Sequence, residues 1–211
     1  MRTQEEINEI VRLLLEEYPL ADCTLDWRKD YELLFSVRLA AQCTDERVNK
    51  ITPALFARFP TLEAFAEAEV EEVEKYVHST GFYRAKARDI VKCAQMLLEK
   101  HNGKVPATME ELTALPGVGR TTANLILGDV YKIPGSTVVD THCIRLTNRM
   151  GIVDNMKDPV KIEMALRKVL PPEHSSDFCH CIVLHGRAVC DARKPDCANC
   201  CVKHLCQSFS G

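Results

Sequence analysis

The 211-residue chain contains no long apolar run, so no membrane-spanning helix is predicted, and its N-terminus has no secretory hydrophobic region. Excess positive charge is missing as well. A formal net charge of -3 is not that of a typical nucleic-acid protein, so any polyanion would have to be met by a local patch. No convincing alternating strand or hairpin turn competes with helical patterning, and there are no internal repeats or low-complexity linkers. Nor is there a P-loop, a dinucleotide fingerprint or a Gly-x-Ser-x-Gly elbow.

What is present is helix. Thr3 and Glu6 form a capping box ahead of Ile7, Ile10, Val11 and Leu14 on one face. Further helices are predicted at about 30–43, 45–58, 61–67, 70–79, 84–101, 108–114, 119–131, 141–150, 159–169 and 176–189. Thr44, Thr61, Thr108 and Asp158 read as N-caps, the last followed by Pro159 at the first helical position; Asn102-Gly103 and Gly151 read as stops. The acidic excess of residues 63–74 reads as a solvated helix face. With 46% apolar residues the chain can bury a sizeable core, as one large domain or two small ones. The fold class is all-α.

Cysteine is abundant. Cys190, Cys197, Cys200 and Cys206 are spaced C-x6-C-x2-C-x5-C within one short segment. Four soft thiolates suit tetrahedral zinc or a 4Fe-4S cluster. Zinc ribbons and knuckles show two short C-x2-C pairs around a longer insert; one pair flanked by single cysteines favours iron-sulfur. Cys201 neighbours a proposed ligand, but Cys200 keeps the tighter spacing from Cys197. The same segment carries Arg193-Lys194 and Lys203-His204, charges that a structural metal knot does not need. The remaining cysteines are scattered, mostly within helical patterns, so a disulfide framework is not expected and reduced thiols imply an intracellular protein. His174, His180 and His185 make no clean metal face and read as helix-packing or surface groups.

One inter-helix turn carries chemistry: Leu115-Pro116-Gly117-Val118-Gly119-Arg120-Thr121-Thr122-Ala123. A Gly-Val-Gly turn lets backbone approach a ligand closely, and its amides, with the N-terminus of the following helix, suit a phosphate. Taken with Val138-Val139-Asp140-Thr141-His142 and with Leu184-His185-Gly186-Arg187 leading into the four cysteines, the chain resembles the endonuclease III family of helix-hairpin-helix DNA glycosylases over essentially its whole length. Ala41-Gln42-Cys43-Thr44-Asp45 and Gly81-Phe82-Tyr83-Arg84-Ala85-Lys86 are weaker matches.

The resemblance implies two helical lobes: a six-helix barrel carrying the helix-hairpin-helix at 23–132, and an iron-sulfur cluster domain made of 1–22 and 133–211, with duplex DNA and the active site where they meet. It implies that Gln42 fills the space left by a flipped nucleotide and that Phe82 wedges beside the opposite strand. Arg84 and Lys86 would lie near phosphates, with Gly117, Gly119 and Arg120 at the hairpin, and Arg193 and Lys194, helped by Arg187 and Lys203, at the cysteine loop. The cofactor would be a 4Fe-4S cluster. A monomer, cytoplasmic or at the nucleoid in a prokaryote, is expected.

A glycosylase must extrude the nucleotide and stabilise positive charge on the sugar as the base leaves. Asp140, at the start of a predicted helix where a carboxylate complements the helix dipole, suits that task. In bifunctional members of the family a lysine after Gly-Val-Gly-Arg forms a Schiff base and permits strand cleavage; here Thr121 stands there, and a hydroxyl cannot form an imine. Relatives with serine or tyrosine at that position remove the base only. The expectation is a monofunctional glycosylase acting on a damaged or mismatched base, pyrimidines before purines, with Asp140 supporting the cation and activating water and Thr121 lining the pocket or orienting that water. Competing expectations are a bifunctional enzyme using another amine, such as Lys50 or Lys86, or an engineered Thr121; a non-catalytic damage sensor; and a structural zinc DNA-binding module. An adenine specialist is not expected, because no recognition domain comes after Gly211.

Overall fold

Eleven α-helices and four short 3₁₀ turns make up the regular structure of residues 2–209, which the computed structural model describes; no strand occurs among them. Met1, Ser210 and Gly211 lie outside the described residues, and so does the expectation that concerns the chain end at Gly211. The contacts divide the chain into two units. One is Thr24–Tyr131; the other takes the chain up to Cys23 and again from Lys132 onward.

The Thr24–Tyr131 unit holds α2 (Asp30–Ala40), α3 (Asp45–Arg58), α4 (Leu62–Ala66), α5 (Val70–Val77), α6 (Tyr83–His101), α7 (Met109–Thr113) and α8 (Arg120–Asp129). The boundaries follow the cap chemistry. Thr44, Thr61 and Thr108 each accept the backbone N–H three residues on with the side-chain hydroxyl, and Asn102 and Gly103 close α6 with φ of 51° and 73°. Helix α6 packs against α2, α4 and α5, and α2 packs against α8. The core is aromatic: Phe35 and Phe59 lie with ring centroids 5.0 and 5.1 Å from that of Phe65, and Phe56 and Tyr31 also flank it.

The second unit holds α1 (Gln4–Glu17), α9 (Thr141–Met150), α10 (Pro159–Val169) and α11 (Ser175–Ala188). The capping box of Thr3 and Glu6 is formed at both bonds. Ile7, Ile10, Val11 and Leu14 recur at helical spacing and are all buried, so α1 presents one apolar stripe to a core that includes Leu146, Leu166, Phe178 and Ile182. Asp158 caps α10 through Val160 and Lys161 ahead of Pro159, and Gly151 ends α9 at φ 78°.

The helix expected over 30–43 stops earlier, at Ala40. Gln42 adopts φ 54°, and Cys43 N–H closes a turn onto the Ala40 carbonyl. A left-handed residue cannot continue a right-handed helix, so 41–43 form a tight corner ahead of the Thr44 cap.

Phe65 is fully buried at the centre of the aromatic cluster. Phe65→Ala is expected to lower the stability to chemical unfolding by about 3–5 kcal/mol, while the variant keeps its helical circular dichroism at low denaturant.

Candidate functional site

In the Thr24–Tyr131 unit the Gly-Val-Gly turn joins α7 to α8 over an ion pair. Arg38 meets Asp89 through Nε at 2.8 Å and Nη2 at 2.7 Å. Gly117, at φ 74°, lies directly on this pair: a Cβ there would come within 2.6 Å of Arg38 Nε and 2.9 Å of Asp89 Oδ2. Both the backbone angle and the lack of space require glycine. Gly119 differs, since a Cβ there would meet nothing within 4 Å. It occupies the N-cap of α8 and brings no side chain to the first amides. Thr121 is exposed in the first turn of α8, and Arg120 is half-buried beside it.

Two corners of the same unit carry side chains outward. Gln42 is exposed. Phe82 holds φ 47° at the N-cap position of α6 and is 69% exposed, so it is not a core aromatic. Arg84 is exposed, its guanidinium over the Tyr83 ring at 5.4 Å.

Lys86 is a correction. Expected near phosphates, it is 1% exposed, and its ammonium donates to the carbonyls of Leu39 and Thr80, both at 2.8 Å. It sits on the inward face of α6, where burial lowers its pKa from the ordinary lysine value. An ammonium committed to two buried carbonyls neither reaches a phosphate nor serves as a nucleophile.

In the second unit Asp140 is the N-cap of α9, its Oδ1 accepting Cys143 N–H at 2.7 Å. The cap occupies one carboxylate oxygen; Oδ2 takes no part in it.

Past α11 the chain folds into short turns around a cavity of about 230 Å³ whose lining includes Cys190, Cys197, Cys200 and Cys206. Cys201 is not among its lining residues; like Cys190 and Cys200, it packs against the core of this unit. That volume is several times the roughly 30 Å³ share of one water molecule. Among the described residues no three His, Cys, Asp or Glu side chains converge closely enough to hold a single ion. Burial pushes the Cys200 thiol up to about 11.

The loop is anchored by cations that sequence reasoning did not single out. Arg149 donates from Nη1 to the Asp191 carbonyl at 2.7 Å and to Cys190 Sγ at 3.3 Å, and from Nη2 to the Ala192 carbonyl at 2.8 Å. Arg145 donates from Nη2 to the carbonyls of Gly186 and Cys190, each at 3.1 Å. A Cβ on Gly186 would fall 2.5 Å from His142 Nδ1, so this glycine lets α9 and α11 approach closely. His185 is fully buried, with Nδ1 3.0 Å from the Tyr18 hydroxyl and Nε2 3.3 Å from Cys200 Sγ. The signals were faint: Arg145 and Arg149 lie one turn apart on α9, and His185 lies five residues before Cys190.

Asp191 shapes the exposed tip. Its Oδ1 accepts the backbone N–H groups of Lys194 at 3.0 Å and Arg193 at 2.8 Å, which hold its pKa below the usual aspartate value and leave both cationic side chains exposed. Lys203 turns back to donate to the Ala198 carbonyl.

Residues 35–172 match the HhH-GPD superfamily base excision DNA repair protein family. The chain is 45% identical to endonuclease III of Synechocystis sp. over 205 residues, covering 97% of this chain and 93% of that protein. It is 42% identical to endonuclease III of Escherichia coli over 199 residues, covering 94% and 93%. Among solved structures, a non-covalent endonuclease III-DNA complex aligns with TM-score 0.93 at 38% identity, over 99% of this chain and 97% of that one. A thermostable thymine-DNA glycosylase, at TM-score 0.86 and 21% identity over 97% of this chain and 96% of its own, shares the fold. With the hairpin turn, the capped aspartate and the four-cysteine loop in place, the chain belongs to the endonuclease III family of base excision DNA repair proteins.

Proposed function

We propose that this endonuclease III-type DNA glycosylase removes its base without cutting the strand. The observation that carries the reading is Thr121 in the first turn of α8, at the position after Gly-Val-Gly-Arg. An imine needs a nitrogen that can lose two protons; a threonine hydroxyl adding to C1′ stops at an acetal. Lys86 does not replace the missing amine, because its ammonium is buried and bonded to two carbonyls.

Base removal then follows from one carboxylate. As the bond from C1′ to the base nitrogen breaks, the electron pair leaves with the base and positive charge grows on the sugar. Asp140 supports that charge electrostatically. Its Oδ1 is fixed by Cys143 N–H while Oδ2 takes the proton of the attacking water as the new C1′–O bond forms. Thr121 orients that water. The substrate is duplex DNA with a damaged or mismatched base, a pyrimidine by preference. Gln42 enters the space vacated by the flipped nucleotide and Phe82 wedges beside the opposite strand, as their exposure on left-handed corners suits. Phosphates are met by Gly117, Gly119 and Arg120 at the hairpin, by Arg84, and by Arg193 and Lys194 on the cysteine loop.

The donor set and the cavity fit a 4Fe-4S cluster held by Cys190, Cys197, Cys200 and Cys206. When bound, it supplies a covalent scaffold for the loop and takes no part in base removal. A ligand thiolate can only accept, so Nε2 of His185 carries the proton toward Cys200 and Nδ1 accepts from the Tyr18 hydroxyl. Arg149 offers a donor to the Cys190 sulfur.

Asp140→Asn separates chemistry from capping, because asparagine caps a helix as well as aspartate. The variant is expected to keep its melting temperature and to lose roughly 10²–10⁴-fold in single-turnover base removal; equal loss of both would reduce Asp140 to a cap. Borohydride trapping on a damaged duplex is expected to give no adduct with the native chain and a covalent adduct with Thr121→Lys. An adduct with the native chain that disappears on replacing a single lysine, such as Lys50, would overturn the monofunctional reading.

A further inference from the structure

Five residues other than glycine hold positive φ: Gln42, Phe82, Asn102, Lys132 and Asn155. Asparagine tolerates this region, and Asn102 serves as an ordinary helix stop. Gln42 and Phe82 are different. Neither side chain favours the left-handed region, a bulky aromatic least of all, and such conformations persist only where surrounding structure over-determines them.

The determinant common to both is Lys86. Its ammonium donates to Leu39, three residues before Gln42, and to Thr80, two residues before Phe82. The Leu39 carbonyl belongs to the last turn of α2, and Thr80 is the last residue of the 3₁₀ turn His78–Thr80. Carbonyls at such ends have no partner within their own helix. The backbone N–H of Lys86 also bonds to the Phe82 carbonyl at 3.1 Å. One buried residue therefore pins the segment entering each corner, together with the backbone of one corner itself. A cation in the first turn of α6 opposes that helix's own dipole, so its place is explained by the two carbonyl ends it joins and not by α6.

We propose that Lys86 is a positioning residue that couples the Gln42 and Phe82 corners into one preorganised pair, so that the two side chains enter DNA as a unit. The proposal rests on the reading of Gln42 as the residue that fills the flipped-out space and of Phe82 as the wedge beside the opposite strand. Preorganisation matters because each corner, if free, would have to be ordered during DNA distortion. Misplacement of a group by about 1 Å can cost on the order of 10²-fold in rate.

The test is a double-mutant cycle read on a duplex carrying a tetrahydrofuran abasic analogue opposite 2-aminopurine, whose fluorescence rises when its base is unstacked. Lys86→Met keeps the length of the stem and removes the donors. It is expected to raise Kd for this duplex by about 10-fold or more and to diminish the fluorescence rise at saturation. Placed in a Gln42→Ala/Phe82→Ala background, it is expected to add nothing further. Amide hydrogen exchange should quicken at 40–43 and 80–83 and stay unchanged in the core of α6. An equal loss from Lys86→Met in both backgrounds would overturn the coupling. If the double alanine variant weakens binding while Lys86→Met does not, the coupling alone fails; if the double alanine variant has no effect, the reading of the two corners fails and the coupling with it. Should Lys86→Met not fold, Lys86→Gln, which keeps a donor on a shorter stem, goes through the same cycle with the same outcomes deciding.

Discussion

A helix satisfies its own backbone only in its middle; the first amides and last carbonyls must find partners elsewhere. This chain has many ends for its length, with two α-helices of only five residues and four 3₁₀ turns besides. The N-terminal ends are met by threonine and aspartate side chains, as at Thr3, Thr44, Thr61, Thr108, Asp140 and Asp158. The carbonyl ends and the loops beyond them are met by cations. Lys86 serves Leu39 and Thr80, Arg145 serves Gly186 and Cys190, and Arg149 serves Asp191 and Ala192. The residues proposed to act on DNA sit on or beside those ends. Asp140 is itself a cap, Gln42 comes after the end of α2, Phe82 precedes α6, and Thr121 lies in the first turn of α8.

That placement has a chemical reason. Side chains at helix ends project from backbone that is rigid on one side and irregular on the other, so they can be aimed without sacrificing a packed face. The cost is unpaired polar backbone, and buried cations offset it with charge-assisted hydrogen bonds. The formal charge of -3 therefore says little about how the protein meets a polyanion. Some of its cations are structural and inward, while the exposed pair Arg193 and Lys194 is displayed by a turn closed on Asp191.

Local chemistry was legible in the sequence. The all-helical class, the capping box at Thr3, the four N-caps and the stops at Asn102-Gly103 and Gly151 depend on residues within a turn of one another. The rest depends on partners distant in sequence. His185 meets Tyr18 across 167 positions, and Arg149 reaches the cysteine loop across 41 to 43. Lys86 misleads for the same reason: its sequence neighbours Arg84 and Arg88 are exposed, while its own ammonium turns inward to the carbonyls of Thr80 and of Leu39, the latter 47 residues away. The early end of α2 at Ala40 belongs to the same set of contacts.

On the proposed reading, base loss and strand scission are uncoupled in this chain, because Thr121 offers no amine at the position after Gly-Val-Gly-Arg. The most direct test of this uncoupling is single-turnover nicking of duplexes carrying thymine glycol, uracil opposite guanine or thymine opposite guanine, each divided into a portion heated in alkali and a portion left neutral. Product is expected from at least one duplex only after alkali, when the abasic site left by base removal is cleaved chemically. Equal product in the neutral portion, formed at the same rate as base release, would contradict it.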